Sequence, residues 1–142
     1  MNDCVISVIV AVFNREKLLD RCLESLVFQR FDENYEIILV DDQSTDCSWS
    51  VMEWWRDRFS EKVRIFRNES KGVARAKNLG IKNARGRYVM FVDSDDYVSY
   101  DAMSDLYSGV ADGEAEIVAT PIYRIGEGKK TKLGALASSS AD

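Results

Sequence analysis

Val5-Ile6-Ser7-Val8-Ile9-Val10-Ala11-Val12 runs almost without polar interruption near the start of the chain. Valine and isoleucine dominate it, and apolar residues do not alternate with polar ones. That is the pattern of a strand covered on both faces within a parallel sheet. A parallel sheet needs crossover connections, and the following residues supply one. Asn14 is placed to cap a helix in which Leu18, Leu19, Cys22, Leu23, Leu26 and Val27 recur at helical spacing, giving one apolar stripe up to about Phe28.

The strand and helix unit recurs. Glu36 to Val40 reads as a second strand, Asp41 to Asp46 as a polar turn, and Ser48 to Phe59 as a helix that buries Val51, Trp54, Trp55 and Phe59. Val63 to Phe66 is a third strand, after which Lys71 and Gly72 open a helix over Val73 to Ala84 with Gly86 as its C-terminal stop. Tyr88 to Val92 is another buried apolar strand, and a further helix covers Tyr100 to Val110. Ile117 to Thr120 and Ile122 to Ile125 read as the last strands, separated by Pro121. This alternation specifies an α/β fold, a mostly parallel sheet sandwiched by helices. Residues 1–125 form that domain. From Gly126 the apolar pattern fails, and residues 126–142 read as a loose tail or a truncated connection.

A chain of 142 residues, 46% hydrophobic and 11% aromatic, fills one core without disulfide staples. Its net charge of -5 argues against nonspecific binding to nucleic acid, while a local basic site could still attract a phosphate. Cys4, Cys22 and Cys47 are odd in number and far apart, which fits reduced thiols and a cytoplasmic compartment. The longest apolar stretch, Val5 to Phe13, is too short to span a bilayer, so any membrane association is expected to be peripheral, at the inner face. With no histidine in the chain, imidazole is excluded as base or metal ligand, which leaves metals held by oxygen.

Asp93-Ser94-Asp95-Asp96 follows the strand at Tyr88 to Val92 directly and puts three carboxylates at its carboxyl end. Like charges this close repel, so an ionised cluster implies a cation, a basic partner or ample water. Two more polar clusters close strands: Phe13-Asn14-Arg15 after the first and Asp41-Asp42 after the second. Loops from one edge of a parallel sheet are neighbours in space, and the three outline one crevice. The turn Val12-Phe13-Asn14-Arg15 is not a glycine-rich dinucleotide fingerprint, and the chain has no P-loop, so dehydrogenase and NTPase readings fall. An EF-hand falls too, because Tyr97, Val98 and Ser104 stand where a ligand, the turn glycine and the bidentate glutamate belong. What remains is a nucleotide held without a glycine loop, through a metal, a carboxylate pair and cationic side chains.

Four ordered stretches carry a family resemblance: Ser7 to Asn14, Val40-Asp41-Asp42-Gln43-Ser44-Thr45-Asp46, Gly72 to Asn78, and Gly86 to Asp96. Together they resemble the glycosyltransferase family 2 domain of the GT-A fold over about residues 5 to 120, the nucleotide-binding half of that domain. The resemblance implies transfer of a sugar, with inversion, from a nucleotide-diphosphate donor, UDP first, to a glycan or glycoconjugate acceptor, with Mn2+ or Mg2+ as cofactor. It implies that Ala11, Phe13 and Asn14 lie beside the nucleobase, that Arg15 approaches the phosphates, and that Asp42 with Asp41 binds uracil or ribose. Asp93 and Ser94 then serve the nucleotide while Asp95 and Asp96 serve the cation. Several registers of the motif fit, with Asp95 first for the metal. Two departures stand out: Lys77 replaces the family's usual arginine with Arg75 half a turn earlier, so that either meets phosphate, and Gln43 replaces a glycine. The acceptor half and the catalytic base are expected outside this chain.

Each cluster also has a plainer reading. Aspartates after a strand cap helices, and Asp46 is expected to do only that. Arg75 and Lys77 could be the exposed face of a helix, and helical spacing makes at least one of Trp54 and Trp55 core. Two rival functions follow: a non-catalytic nucleotide-binding module, and a receiver-like phosphoacceptor domain. The second needs an acid pair where this chain has Phe13-Asn14. Apolar surface left by an absent half would also favour self-association.

Overall fold

The apolar run is a strand, β1 (Ile6–Val12), and it lies inside a four-stranded sheet. The computed structural model describes residues 3–111, 113, 122–126 and 128–134, which divide into two units, Met1–Tyr100 and Asp101–Asp142. In the first unit β1 is followed by α1 (Leu19–Val27), β2 (Tyr35–Asp41), α2 (Ser48–Arg58), β3 (Val63–Arg67), α3 (Val73–Asn83) and β4 (Tyr88–Phe91). The strand order is β3-β2-β1-β4, and every pairing is parallel. The chain steps outward from β1 to β3 and then returns past β1 to β4. Right-handed crossovers therefore put α1 and α2 on one face and α3 on the other. The direction reverses between β1 and β4, which opens a crevice beyond their carboxyl ends.

Parity along the strands divides the core. Ile9, Ile38 and Val40 pack with Ala76 of α3, while Val8, Val10, Ile37 and Leu39 alternate to the opposite face and are equally buried. α3 comes close because Gly80 has no side chain: a Cβ there would stand 2.5 Å from Ile9 Cγ2. On α1 the stripe Leu19, Cys22, Leu23, Leu26 and Val27 is buried, while Leu18 is exposed. On α2, Met52 and Trp55 are buried and Trp54 is exposed, with Trp55 Nε1 donating to Asp20 Oδ1 at 2.8 Å.

Beyond Leu18 and Trp54, both expected to be buried and both exposed, four expectations need correction. Asn14 does not cap α1; the helix starts five residues later, at Leu19, and Asn14 sits at φ 49° in a loop. β4 is not covered on both faces: it ends the sheet among the described residues, and Val89 and Phe91 are exposed. Gly86 is not a helix stop, because α3 closes at Ala84; glycine is needed there because a Cβ would lie 2.5 Å from Ser7 N and 2.7 Å from Ile6 C. The fourth concerns the segment read as a tail. In the second unit, α4 (Ala102–Ser108) is followed by an antiparallel hairpin, β5 (Ile122–Gly126) and β6 (Lys129–Gly134). β6 is polar and lysine-rich, and a main-chain ladder forms it without any apolar period. The strand expected at Ile117 to Thr120 lies outside the described residues.

The end of the sheet away from the crevice is closed by a buried polar cluster. Glu36 Oε1 accepts from Ser7 Oγ and from Arg85 N, both at 2.7 Å, and Oε2 accepts from Arg64 Nη1 at 2.9 Å. Burial alone would raise the Glu36 pKa, but the Ser7, Arg85 and Arg64 donors outweigh it and hold the carboxyl below its ordinary 4.5. A depressed folded pKa stabilises the fold above the unfolded value, and the contribution is lost as pH falls through the folded one. Glu36→Gln is therefore expected to cost about 1–2 kcal/mol near neutral pH and to converge on the parent in acid, where the parent loses the same contribution. Urea denaturation at stepped pH checks this; parallel curves for the two proteins would contradict it.

Candidate functional site

Two loops at the carboxyl rim hold each other. Asn14 takes the left-handed conformation that asparagine tolerates, and its Oδ1 accepts from Thr45 N at 2.8 Å. Arg15 N donates to Ser48 Oγ at 2.8 Å, Glu16 N to Asp46 Oδ2 at 3.2 Å, and Cys47 N to Glu16 Oε2 at 2.8 Å. Asp46 also accepts from Ser48 N at 2.9 Å. Desolvation pushes its pKa up, but these hydrogen bonds prevail and hold it below the usual carboxylate value. Asn14 and Asp46 thus join the β1–α1 and β2–α2 loops.

The adjacent aspartates Asp41 and Asp42 diverge, as successive strand-end residues must. Asp41 is buried; Ser44 N donates to its carboxylate at 3.3 Å and Arg67 Nε lies 3.6 Å away. Asp42 Oδ1 instead accepts from Asn68 Nδ2 at 2.9 Å and from Gly72 N at 2.8 Å. Gly72 adopts φ 147°, where a side chain is strained, and α3 begins at the next residue. Asp42 so pins the start of α3 to the end of β2.

Ala11, Val12, Phe13, Arg15, Asp42, Val73, Asp93, Ser94 and Asp95 line one cavity of ≈ 320 Å³. Its size falls within the range of small-molecule sites. Asp42 and Asp95, from strands on either side of β1, therefore share a cavity. Phe13 is partly exposed, with Lys71 Nζ 3.9 Å from its ring centroid. Arg15 Nη2 stands 3.7 Å from Asp95 Oδ2, and Lys77 Nζ 3.9 Å from Asp93 Oδ1. Carboxylate oxygens of Asp93, Asp95 and Asp96 all lie within 4.8 Å of one another. Partial burial and then the charges of Asp95 and Asp93 raise the Asp96 pKa, although Arg21 offsets part of this.

Not every expected residue reaches this cavity. Asn14 lines a second cavity of ≈ 400 Å³ with Arg15, Glu16, Lys17, Leu18 and Asp46, while Asp41 faces the turn at Ser44. Arg75 is exposed, Lys77 reaches Asp93, and Asp96 stands in the acidic cluster; all three are outside the first cavity's lining. Asn68, Val73 and Lys71 were missed by the sequence reading. Their signal was the polar run Asn68 to Gly72 between strand and helix, which marks a loop without saying which side chain turns to Asp42.

Gln43 occupies a left-handed position, φ 64°, and its Nε2 donates to Glu69 O at 2.8 Å. The conformation costs about 1–2 kcal/mol outside glycine, and the hydrogen bond returns about 1. Gln43→Ala keeps the strain and loses the bond, whereas Gln43→Gly loses both. The alanine variant is expected to be less stable than the glycine variant by about 1 kcal/mol in paired denaturant melts, and equal stability would count against strain here.

A four-stranded parallel sheet with flanking helices and its carboxylates gathered at the rim is the architecture of the GT-A transferases. The chain belongs to glycosyltransferase family 2: the family described as Glycosyl transferase family 2 matches residues 7–137. GlyG, a glycosyltransferase of Streptococcus pneumoniae serotype 4, is 40% identical over 124 residues, covering 87% of this chain and 40% of GlyG. A poly(ribitol-phosphate) beta-glucosyltransferase of Bacillus spizizenii is 40% identical over 114 residues, covering 79% of this chain and 18% of the relative. The crystal structure of S. aureus TarS 1-349 in complex with UDP-GlcNAc superposes with a TM-score of 0.70 at 32% identity, over 76% of this chain and 31% of that one. A mannosyltransferase of Pyrobaculum calidifontis, solved with GDP-Man and Mn2+, reaches 0.70 at 24% identity over 77% and 33%, a likeness of fold alone. The chain spans 18 to 40% of the length of the curated relatives it matches.

Among the described residues, no helix is long and apolar enough to cross a membrane.

Proposed function

We propose that this chain binds a nucleotide-diphosphate sugar, UDP-linked by preference, and forms the donor side of an inverting glycosyltransferase whose acceptor is a glycan or glycoconjugate. The observation that carries this reading is the single cavity shared by Asp42 and by Asp93, Ser94 and Asp95. The UDP-GlcNAc complex of TarS favours uridine, and relatives named for poly(ribitol-phosphate) favour a surface-polymer acceptor.

Ala11 and Phe13 offer apolar surface to a base, and Asp42, fixed through Oδ1, is positioned for the nucleoside. Arg15 and Lys77 are near enough to the acidic turn to meet a diphosphate there, with Arg75 on the same helix as Lys77. The acidic cluster fits a divalent cation, because its donors are all oxygen and converge at close range. Asp95 and Asp96, with Asp93, would hold Mn2+ or Mg2+. Cys22 is not among the converging ligand atoms; burial, then the charges of Asp96 and Asp95, push its thiol up to about 12. When bound, the ion supplies positive charge for the departing diphosphate. No residue of the cavity is assigned as the base that deprotonates the acceptor, so donor binding without robust transfer is the activity expected of this chain.

Calorimetry with UDP, in manganese and in chelator, tests the reading. Heat of binding that requires the metal is expected; its absence in the folded chain would overturn the donor site.

A further inference from the structure

Asp93 to Tyr100 forms no helix or strand, yet its main chain is tied down along its length. Buried main-chain groups need partners, and here helix α1 and the residues just after it provide them. Cys22 Sγ donates to Asp93 O at 3.6 Å, and Arg21 Nη2 to Asp95 O at 3.3 Å. Val98 N donates to Ser25 Oγ at 3.2 Å, and Gln29 Nε2 to Ser99 O at 2.7 Å. Cys22, Ser25 and Gln29 meet Asp93, Val98 and Ser99 in that order, while Arg21 reaches across to Asp95.

Cys22 and Ser25 lie three residues apart on one side of α1, and Gln29, two residues past its end, reaches back to Ser25 O. Each is engaged on both sides. Ser25 Oγ donates to Cys22 O at 2.7 Å while it accepts from Val98, and Gln29 Nε2 donates to Ser25 O at 2.8 Å as well as to Ser99. The loop is thereby anchored to a helix held in the core by Leu19, Leu23, Leu26 and Val27, with Cys22 and Ser25 buried beside them. Mutual repulsion among Asp93, Asp95 and Asp96 would otherwise favour a splayed turn.

We propose that Cys22, Ser25 and Gln29 are positioning residues that hold the acidic turn in its convergent geometry, so that α1 sets the cluster's affinity for a divalent cation. The inference rests on the donor-site reading and adds that part of the affinity resides in a helix that touches neither metal nor nucleotide.

The test is Mn2+ binding to the full chain, followed by electron paramagnetic resonance, together with amide hydrogen exchange at residues 94–98. Ser25→Ala/Gln29→Ala leaves every charge in place. It is expected to raise the Mn2+ dissociation constant about tenfold, as the loss of the two hydrogen bonds to the turn implies, and to speed exchange at those amides while the cooperative melt persists. Cys22→Ser, which keeps a donor toward Asp93, is expected to retain affinity, whereas Cys22→Val, similar in shape with no donor, weakens it. Unchanged affinity and exchange in the folded double variant overturn the proposal. If that variant does not fold, Gln29→Ala alone decides by the same two readouts. If the parent binds no Mn2+, the donor-site reading falls by itself and the claim on cation affinity falls with it, while the exchange data alone decide whether α1 anchors the turn.

Discussion

Asp95→Ala is expected to weaken UDP binding in manganese about 100-fold, or about 2.8 kcal/mol, while leaving the weak metal-free binding of UDP nearly unchanged. The side chain sits where the cavity and the carboxylate cluster overlap, so its removal subtracts one of the three carboxylates proposed to hold the ion. The loop is not expected to collapse with it, because Arg21 grips the Asp95 carbonyl, which alanine retains. Asp95→Asn preserves the shape and discards the charge, and it should behave like alanine if the charge is what matters. Calorimetry on the three proteins, with and without manganese, checks this. Equal metal-dependent affinity in parent and alanine variant would remove Asp95 from the site.

Gly86→Ala should be among the most destabilising single substitutions in the chain, at about 3 kcal/mol, the upper end for overpacking. A Cβ at residue 86 meets main-chain atoms of Ser7 and Ile6, which cannot step aside without moving β1. Gly86 N also donates to Ser7 Oγ at 2.8 Å, so displacement would loosen the cluster around Glu36. At Gly80 the clash is with a methyl of Ile9, whose side chain can shift somewhat, and a smaller loss is expected. Thermal and urea melts of both variants measure the difference. A loss at Gly86 below that at Gly80 would show that β1 yields more readily than its central place in the sheet implies.

Much of the rim was legible because parallel topology follows from apolar strands, and topology then brings every strand's carboxyl end to one edge. That logic took Phe13, Asp42 and Asp95 from distant positions to one cavity without reference to any contact. It could not separate Asp41 from Asp42, since which neighbour faces the cavity depends on where the strand ends to the residue. Nor could it find the bond between Ser7 and Glu36, because a serine and a glutamate 29 residues apart become partners only through the register of β1 on β2. Cys22 was assigned to an apolar stripe; it is buried as expected, and its thiol also serves the Asp93 carbonyl. The lysine-rich strand after Gly126 is not legible in the sequence, because it depends on main-chain pairing, which leaves no period in the side chains.

Because Asn14 and Asp46 sew two crossover loops together, the rim that carries Phe13 and Asp42 behaves as one plate. A guest meets a surface that has already lost its freedom, so little ordering entropy opposes its arrival there. The same stiffness restricts how such a pocket can change its preference: the exchange of single side chains such as Ala11 or Phe13 retunes it, whereas refolding a loop would tear the seam that supports its neighbour.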